Sequence, residues 1–177
     1  MSFHKKIDKQ AGSRAGQRAY APRSGAEWLV GVGFRCWLAG YDTGDIACWE
    51  NGWNEYARAL GTERAKRAVT ELACWVRAVR VTAARKIEYS PFGCPGFCAD
   101  ECMAISLIAA SQHHRCPAMR ACALALTGSD LVEPVIDAAN AFADALQEAD
   151  QLLSPEAVAA LAAASEGPLG DRHTRPD

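Results

Sequence analysis

The chain is poor in aromatic and β-branched residues. Only 8% of its 177 residues are Phe, Trp or Tyr, and valine and isoleucine together supply 15 residues against 35 alanines. So much of the best helix former beside so little strand-favouring side chain argues against a sheet and for an all-α protein. No run of about 18 apolar residues occurs anywhere, so no membrane span is expected. Residues 1–25 hold no apolar stretch that could form the core of a signal peptide, which makes the cytoplasm the expected compartment. There is no glycine-rich phosphate loop, no H-E-x-x-H and no G-x-S-x-G, and two of the four histidines, His4 and His173, lie near the ends. No enzyme class follows from that inventory.

Charge is nearly balanced at −2, but it is unevenly placed. Residues 1–23 carry Lys5, Lys6, Lys9, Arg14, Arg18 and Arg23 against Asp8, so the arm is basic and the remainder acidic. This arm is expected to be disordered and solvated, with nucleic acid not expected as a partner. Residues 167–177 read as a second disordered tail. Between them, residues 24–166 are expected to form a single helical domain, a length that can bury a core without disulfide staples.

Hydrophobic spacing places five to seven helices in that domain. The first, about 25–40, is apolar on most sides, and Leu29, Gly33, Cys36 and Gly40 form a strip of mostly small residues that lets another helix come close. The second, about 45–60, has Ile46, Trp49, Trp53, Tyr56 and Leu60 as a bundle seam ended by Gly61. Thr62 is the expected N-cap of the third, whose seam is Val69, Leu72, Val76, Val79 and Ala83 and which is extended as far as Tyr89. The fourth, about 95–114, is apolar all round and is therefore expected at the centre. A fifth covers 117–126. A sixth starts near Ser129, with Pro134 tolerated close to its start and a seam running from Val135 to Leu153. Ser154-Pro155-Glu156 opens a seventh that ends before Gly167. Such 3-4 seams joined by short connections make a helical bundle. The five tryptophans, all between Trp28 and Trp75, are expected to anchor its first three helices.

Five of the eight cysteines fall within residues 94–122. In a reducing compartment they are read first as free thiols, metal ligands or redox groups. Cys98 and Cys102, four residues apart, share a helix face and supply half of a soft-ligand site for zinc, Cu(I) or an iron–sulfur cluster. Cys94, Cys116, Cys122 and His113 are candidates for the remaining ligands, with His114 beside them. Cys94-Pro95 and Cys116-Pro117 each read as an N-cap cysteine followed by an N1 proline, where free N–H groups and the positive helix end favour a thiolate. The C-x3-C-x3-C run from Cys94 to Cys102 resembles the cysteine-lined helices of copper-storage proteins. No other helix here carries such a run, and no function is carried over. Cys36 and Cys48 are expected to pack. Cys74 points away from its helix's seam, beside Arg67 and Arg77. Asp100 and Glu101, being adjacent, face different directions and make no general acid–base pair.

The leading reading is thus a cysteine-rich helical protein binding a soft metal or an iron–sulfur cluster, in a sensory, storage or redox-accessory role. Two others stand beside it: an interaction protein whose cysteines only pack, binding a protein partner or a second copy through its helix seams, and a thiol redox protein acting through Cys94 or Cys116.

Overall fold

Ser24 is extended and its hydroxyl accepts the Glu27 N–H at 3.2 Å, so the first helix starts at the next residue. In the computed structural model, which describes residues 21–22 and 24–157, six α-helices follow one another: α1 (Gly25–Thr43), α2 (Ile46–Leu60), α3 (Thr62–Thr82), α4 (Ala99–Gln112), α5 (Cys116–Thr127) and α6 (Glu133–Glu148). A 3-10 turn, Pro155–Ala157, closes the described chain. The protein is an all-α bundle, and no sheet occurs among the described residues. No helix is long and apolar enough to cross a membrane. The basic arm apart from residues 21 and 22, the remainder of the expected seventh helix and the tail 167–177 lie outside the described residues.

Helix α1 is buried along nearly its whole length. Its small-residue strip does what the spacing implies. A Cβ at Gly33 would lie 2.6 Å from the Tyr56 hydroxyl, one at Gly40 would lie 2.4 Å from Trp49, and one at Gly52 of α2 would lie 2.5 Å from Trp37. These pairings run in opposite order along the two helices, so α1 and α2 are antiparallel and nearly in backbone contact. The Tyr56 hydroxyl completes the seam by donating to the Leu29 carbonyl at 2.9 Å. Across the bundle, fully buried Trp75 of α3 stands between Phe34 and Phe142, with ring centroids 5.5 Å away on each side. Helix α4 is central, as its all-round hydrophobicity demands: every residue from Ala104 to Gln112 is buried, and it packs on α1, α5 and α6.

The ends of several helices differ from the sequence expectation, each for a local reason. Gly61, not Thr62, caps α3, because it holds φ +76°, which costs glycine least. Helix α3 stops at Thr82 rather than Tyr89. Beyond it the Ala84 N–H bonds the Thr127 carbonyl at 2.9 Å, the Ile87 side chain is buried, and residues 83–98 form a long connection. Helix α4 begins at Ala99, not near residue 95, so Pro95 is not its first residue and Cys94 is not an N-cap; Cys98 takes that place. Cys116 is the first residue of α5, with Arg115 before it as the cap. Helix α6 starts at Glu133, four residues later than expected, after a turn fastened by the Ser129 side chain to the Leu131 N–H at 3.2 Å. Leu153 falls beyond α6 but remains buried, because Asp150 turns the chain back with φ +59°.

Candidate functional site

A connection of the length of residues 83–98, without helix or strand, is unusual in a compact domain and needs something to order it. That something is an arginine in the apolar middle of α1. Arg35 is 1% exposed and Glu101, in the first turn of α4, is 0% exposed. The guanidinium grips the carboxylate with two bonds, Nε to Oε1 at 2.6 Å and Nη2 to Oε2 at 3.2 Å. Its remaining N–H groups reach the loop carbonyls of Cys94 (2.9 Å), Pro91 (3.1 Å) and Gly96 (2.7 Å). The Glu101 carboxylate in turn accepts the Ser90 N–H, the Ser90 hydroxyl and the Cys98 N–H, at 3.1, 2.9 and 2.7 Å. A buried ion pair is tolerable only when its leftover donors and acceptors are satisfied, and here the loop backbone satisfies them.

A second, more exposed knot holds the start of the loop. Arg85 makes two bonds to Asp100, at 2.9 and 2.6 Å, and the Glu88 N–H adds a third at 2.8 Å. The adjacent acids therefore do face different partners and share no chemistry. Phe97 pins the far end of the loop. Its ring is buried, lies under the Arg35 guanidinium at 5.2 Å, and fills the space where Gly31 lacks a side chain.

Around this knot sit three half-buried cysteines. Cys94 lies in the turn, its N–H bonded to the Pro91 carbonyl at 2.9 Å. Cys98 caps α4 and directs its Sγ at the Glu88 carbonyl, 3.3 Å away. Cys102 follows one turn later, its N–H bonded to the Cys98 carbonyl at 2.9 Å. Burial pushes the Cys98 thiol up to about 11, although N–H groups at the helix end pull the other way. Burial and the neighbouring Cys98 push Cys102 up to about 12.

The remaining candidates are placed elsewhere. Helix α4 has 14 residues and so is about 21 Å long, with Cys98 at its first end and His113 and Cys116 past its last. His113 holds the Leu153 carbonyl through Nε2 at 2.9 Å, and His114 sits in the following turn with φ +51°. Cys116 is exposed, whereas Cys122 is buried in the core and its thiol is pushed up to about 11 by burial. Of the sequence candidates, then, the structure brings Cys98 and Cys102 together. Among the described residues no group of three or more His, Cys, Asp or Glu side chains is arranged to hold a metal ion. Cys36 is buried, its thiol pushed up to about 12 by burial and next by Cys48, and Cys74 is exposed.

These placements set an order of reactivity, because the thiolate is the nucleophile. With iodoacetamide at neutral pH, exposed Cys74 and Cys116 are expected to be modified first and Cys36 and Cys102 last. Burial that pushes the Cys36 and Cys102 thiols up to about 12 leaves them almost wholly protonated at neutral pH. Peptide mass spectrometry over a time course reads this directly, and modification of Cys102 as fast as Cys116 would contradict the burial described.

The Arg35–Glu101 knot was not among the sequence candidates. Its signal was available: a lone basic residue in the apolar middle of the first helix, and an acid beside the cysteine run. Compared with known protein families, curated proteins and solved structures, the chain matches none.

Proposed function

We propose that the protein binds a thiophilic metal ion through the pair Cys98 and Cys102, in a storage, sensory or redox-accessory role in a reducing compartment. The observation that carries this reading is the Arg35–Glu101 knot. A buried ion pair is weak as a source of stability, yet this one is spent on ordering a loop whose cysteines flank the start of α4, and ordered loops on rigid scaffolds are where binding groups concentrate. Cu(I) suits a pair of thiolates, whereas structural zinc and iron–sulfur clusters ask for about four ligands.

The test is a Cu(I) titration of anaerobic, reduced protein against a chromophoric competitor. One equivalent is expected to bind with high affinity and to be lost in the Cys98→Ser/Cys102→Ser double variant, while Cys116→Ser/Cys122→Ser retains it. Because both thiols are protonated at neutral pH and must lose their protons to bind, affinity is expected to rise with pH, by up to about a hundredfold per unit for two protons released. Unchanged binding in the Cys98/Cys102 double variant would overturn the assignment.

A second reading is favoured by the same burial that raises Cys36, Cys98, Cys102 and Cys122: the cysteines pack, and the bundle binds a protein partner or a second copy. Val81, Leu131 and Ile46, which are 76%, 74% and 67% exposed, support that alternative. It predicts that no equivalent of Cu(I) survives competition.

A further inference from the structure

A cavity of about 140 Å³ opens between the end of α1, the end of α3 and the first residues of the connection that follows α3. Its lining includes Leu38 and Ile87, both buried, with half-buried Ala83 beside them, so its floor is apolar. Its rim is charged, with Asp42, Arg80, Arg85 and Lys86. The volume is well below the roughly 300 Å³ at which sites for drug-sized ligands begin, so an occupant must be small.

The rim charges are unequally committed. Arg85 is fully engaged: its Nη groups bond Asp100 at 2.9 and 2.6 Å and the carbonyls of Lys86 and Ala125 at 3.0 Å each. Arg80 uses only Nε, which donates to Asp42 at 3.1 Å, and among the described residues its two Nη groups have no partner. Lys86 Nζ stands 3.8 Å from the Glu88 carboxylate, beyond hydrogen-bond distance, and both side chains are more than half exposed. A contact of that kind contributes little. With Arg85 neutralised by Asp100, the lining holds two cations, Arg80 and Lys86, against one acid, Asp42. Arg77, one turn before Arg80, adds to the same field: burial raises the Tyr41 hydroxyl, while Arg77 and Arg80 pull it down.

We propose that this cavity binds a small monocarboxylate with a short hydrocarbon tail, its carboxylate bridging Arg80 and Lys86 and its tail lying on Leu38, Ala83 and Ile87. A guanidinium offers a planar pair of N–H groups that matches the two oxygens of a carboxylate. The excess positive charge is met by a single negative charge, and Asp42 disfavours a dianion such as phosphate. The tail contributes in proportion to the apolar area it takes out of water. None of these residues belongs to the cysteine pair, so the site is independent of the reading given under Proposed function.

The experiment is a ¹H–¹⁵N NMR titration of full-length, metal-free protein with isovalerate, acetate and inorganic phosphate at fixed ionic strength. Isovalerate is expected to shift the amides of Ala83, Lys86 and Ile87 saturably, with roughly millimolar affinity for so few atoms. Acetate, which lacks the tail, should bind about tenfold more weakly, and phosphate should bind no better than acetate. Arg80→Gln and Lys86→Gln are each expected to weaken isovalerate about tenfold, while Arg120→Gln on α5 leaves it unchanged. Lys86→Gln breaks no hydrogen bond, so it decides the matter if Arg80→Gln disturbs the contact with Asp42. Equal binding of the three anions would overturn the proposal, since the site would then be a patch of surface charge only. Unchanged isovalerate affinity in Lys86→Gln, or shifts confined to other parts of the protein, would overturn it as well. A failed Cu(I) titration leaves this result standing, and the reverse also holds.

Discussion

Glu101→Ala is expected to destabilise the fold by about 3–5 kcal/mol, because it leaves the Arg35 guanidinium buried without its counter-charge. The loop carbonyls that remain around Arg35 are dipoles and cannot neutralise it. The Ser90 hydroxyl and the Cys98 N–H lose their acceptor in the same step. Urea denaturation read by circular dichroism measures the loss, and a change below about 1 kcal/mol would mean that the pair is not the keystone the distances suggest. A companion variant separates charge from scaffolding. Replacing both Arg35 and Glu101 by methionine commonly restores stability at a buried ion pair. Here it is expected not to do so, since the carbonyls of Pro91, Cys94 and Gly96 would lose their donors inside the protein.

Phe97→Ala is expected to cost a similar amount, about 3–5 kcal/mol, as other buried Phe truncations do. Its ring fills a niche that no neighbour can easily refill. On one side lies the bare backbone of Gly31, where a Cβ would come within 2.3 Å of the ring, and above it lies the Arg35 guanidinium. The same denaturation experiment checks the value. Faster labelling of Cys98 in this variant would show that the loop, and not only the core, has loosened. A loss near zero would require the loop to collapse into the niche and would contradict its anchoring from two ends.

The helices were legible in the sequence wherever burial alone decides. The strip of Gly33, Cys36 and Gly40 announced a close helix contact, and the apolar surround of residues 95–114 announced a central helix. Both readings depend only on side-chain size and spacing. The stop of α3 was not legible, because residues 83–89 favour helix locally and are drawn out of it by partners distant in the chain, Asp100 and Thr127. The start of α4 was hidden for a related reason. Cysteine is an uncommon cap, and what fixes it is Glu101 reaching back to the Cys98 N–H. The site followed the same division. The pairing of Cys98 with Cys102 is a matter of helical spacing, whereas the dispersal of Cys116, Cys122 and His113 depends on where α4 and α5 begin and end.

The Arg35–Glu101 bond spans 66 residues of sequence, so it closes only after α1 and α4 have found each other, a loop closure that must be completed before the bond contributes. An interaction absent while the folding barrier is being crossed slows unfolding without hastening folding. The knot is thus expected to act on the lifetime of the native state rather than on the speed of reaching it, keeping the cysteine loop shaped for as long as the bundle stays folded.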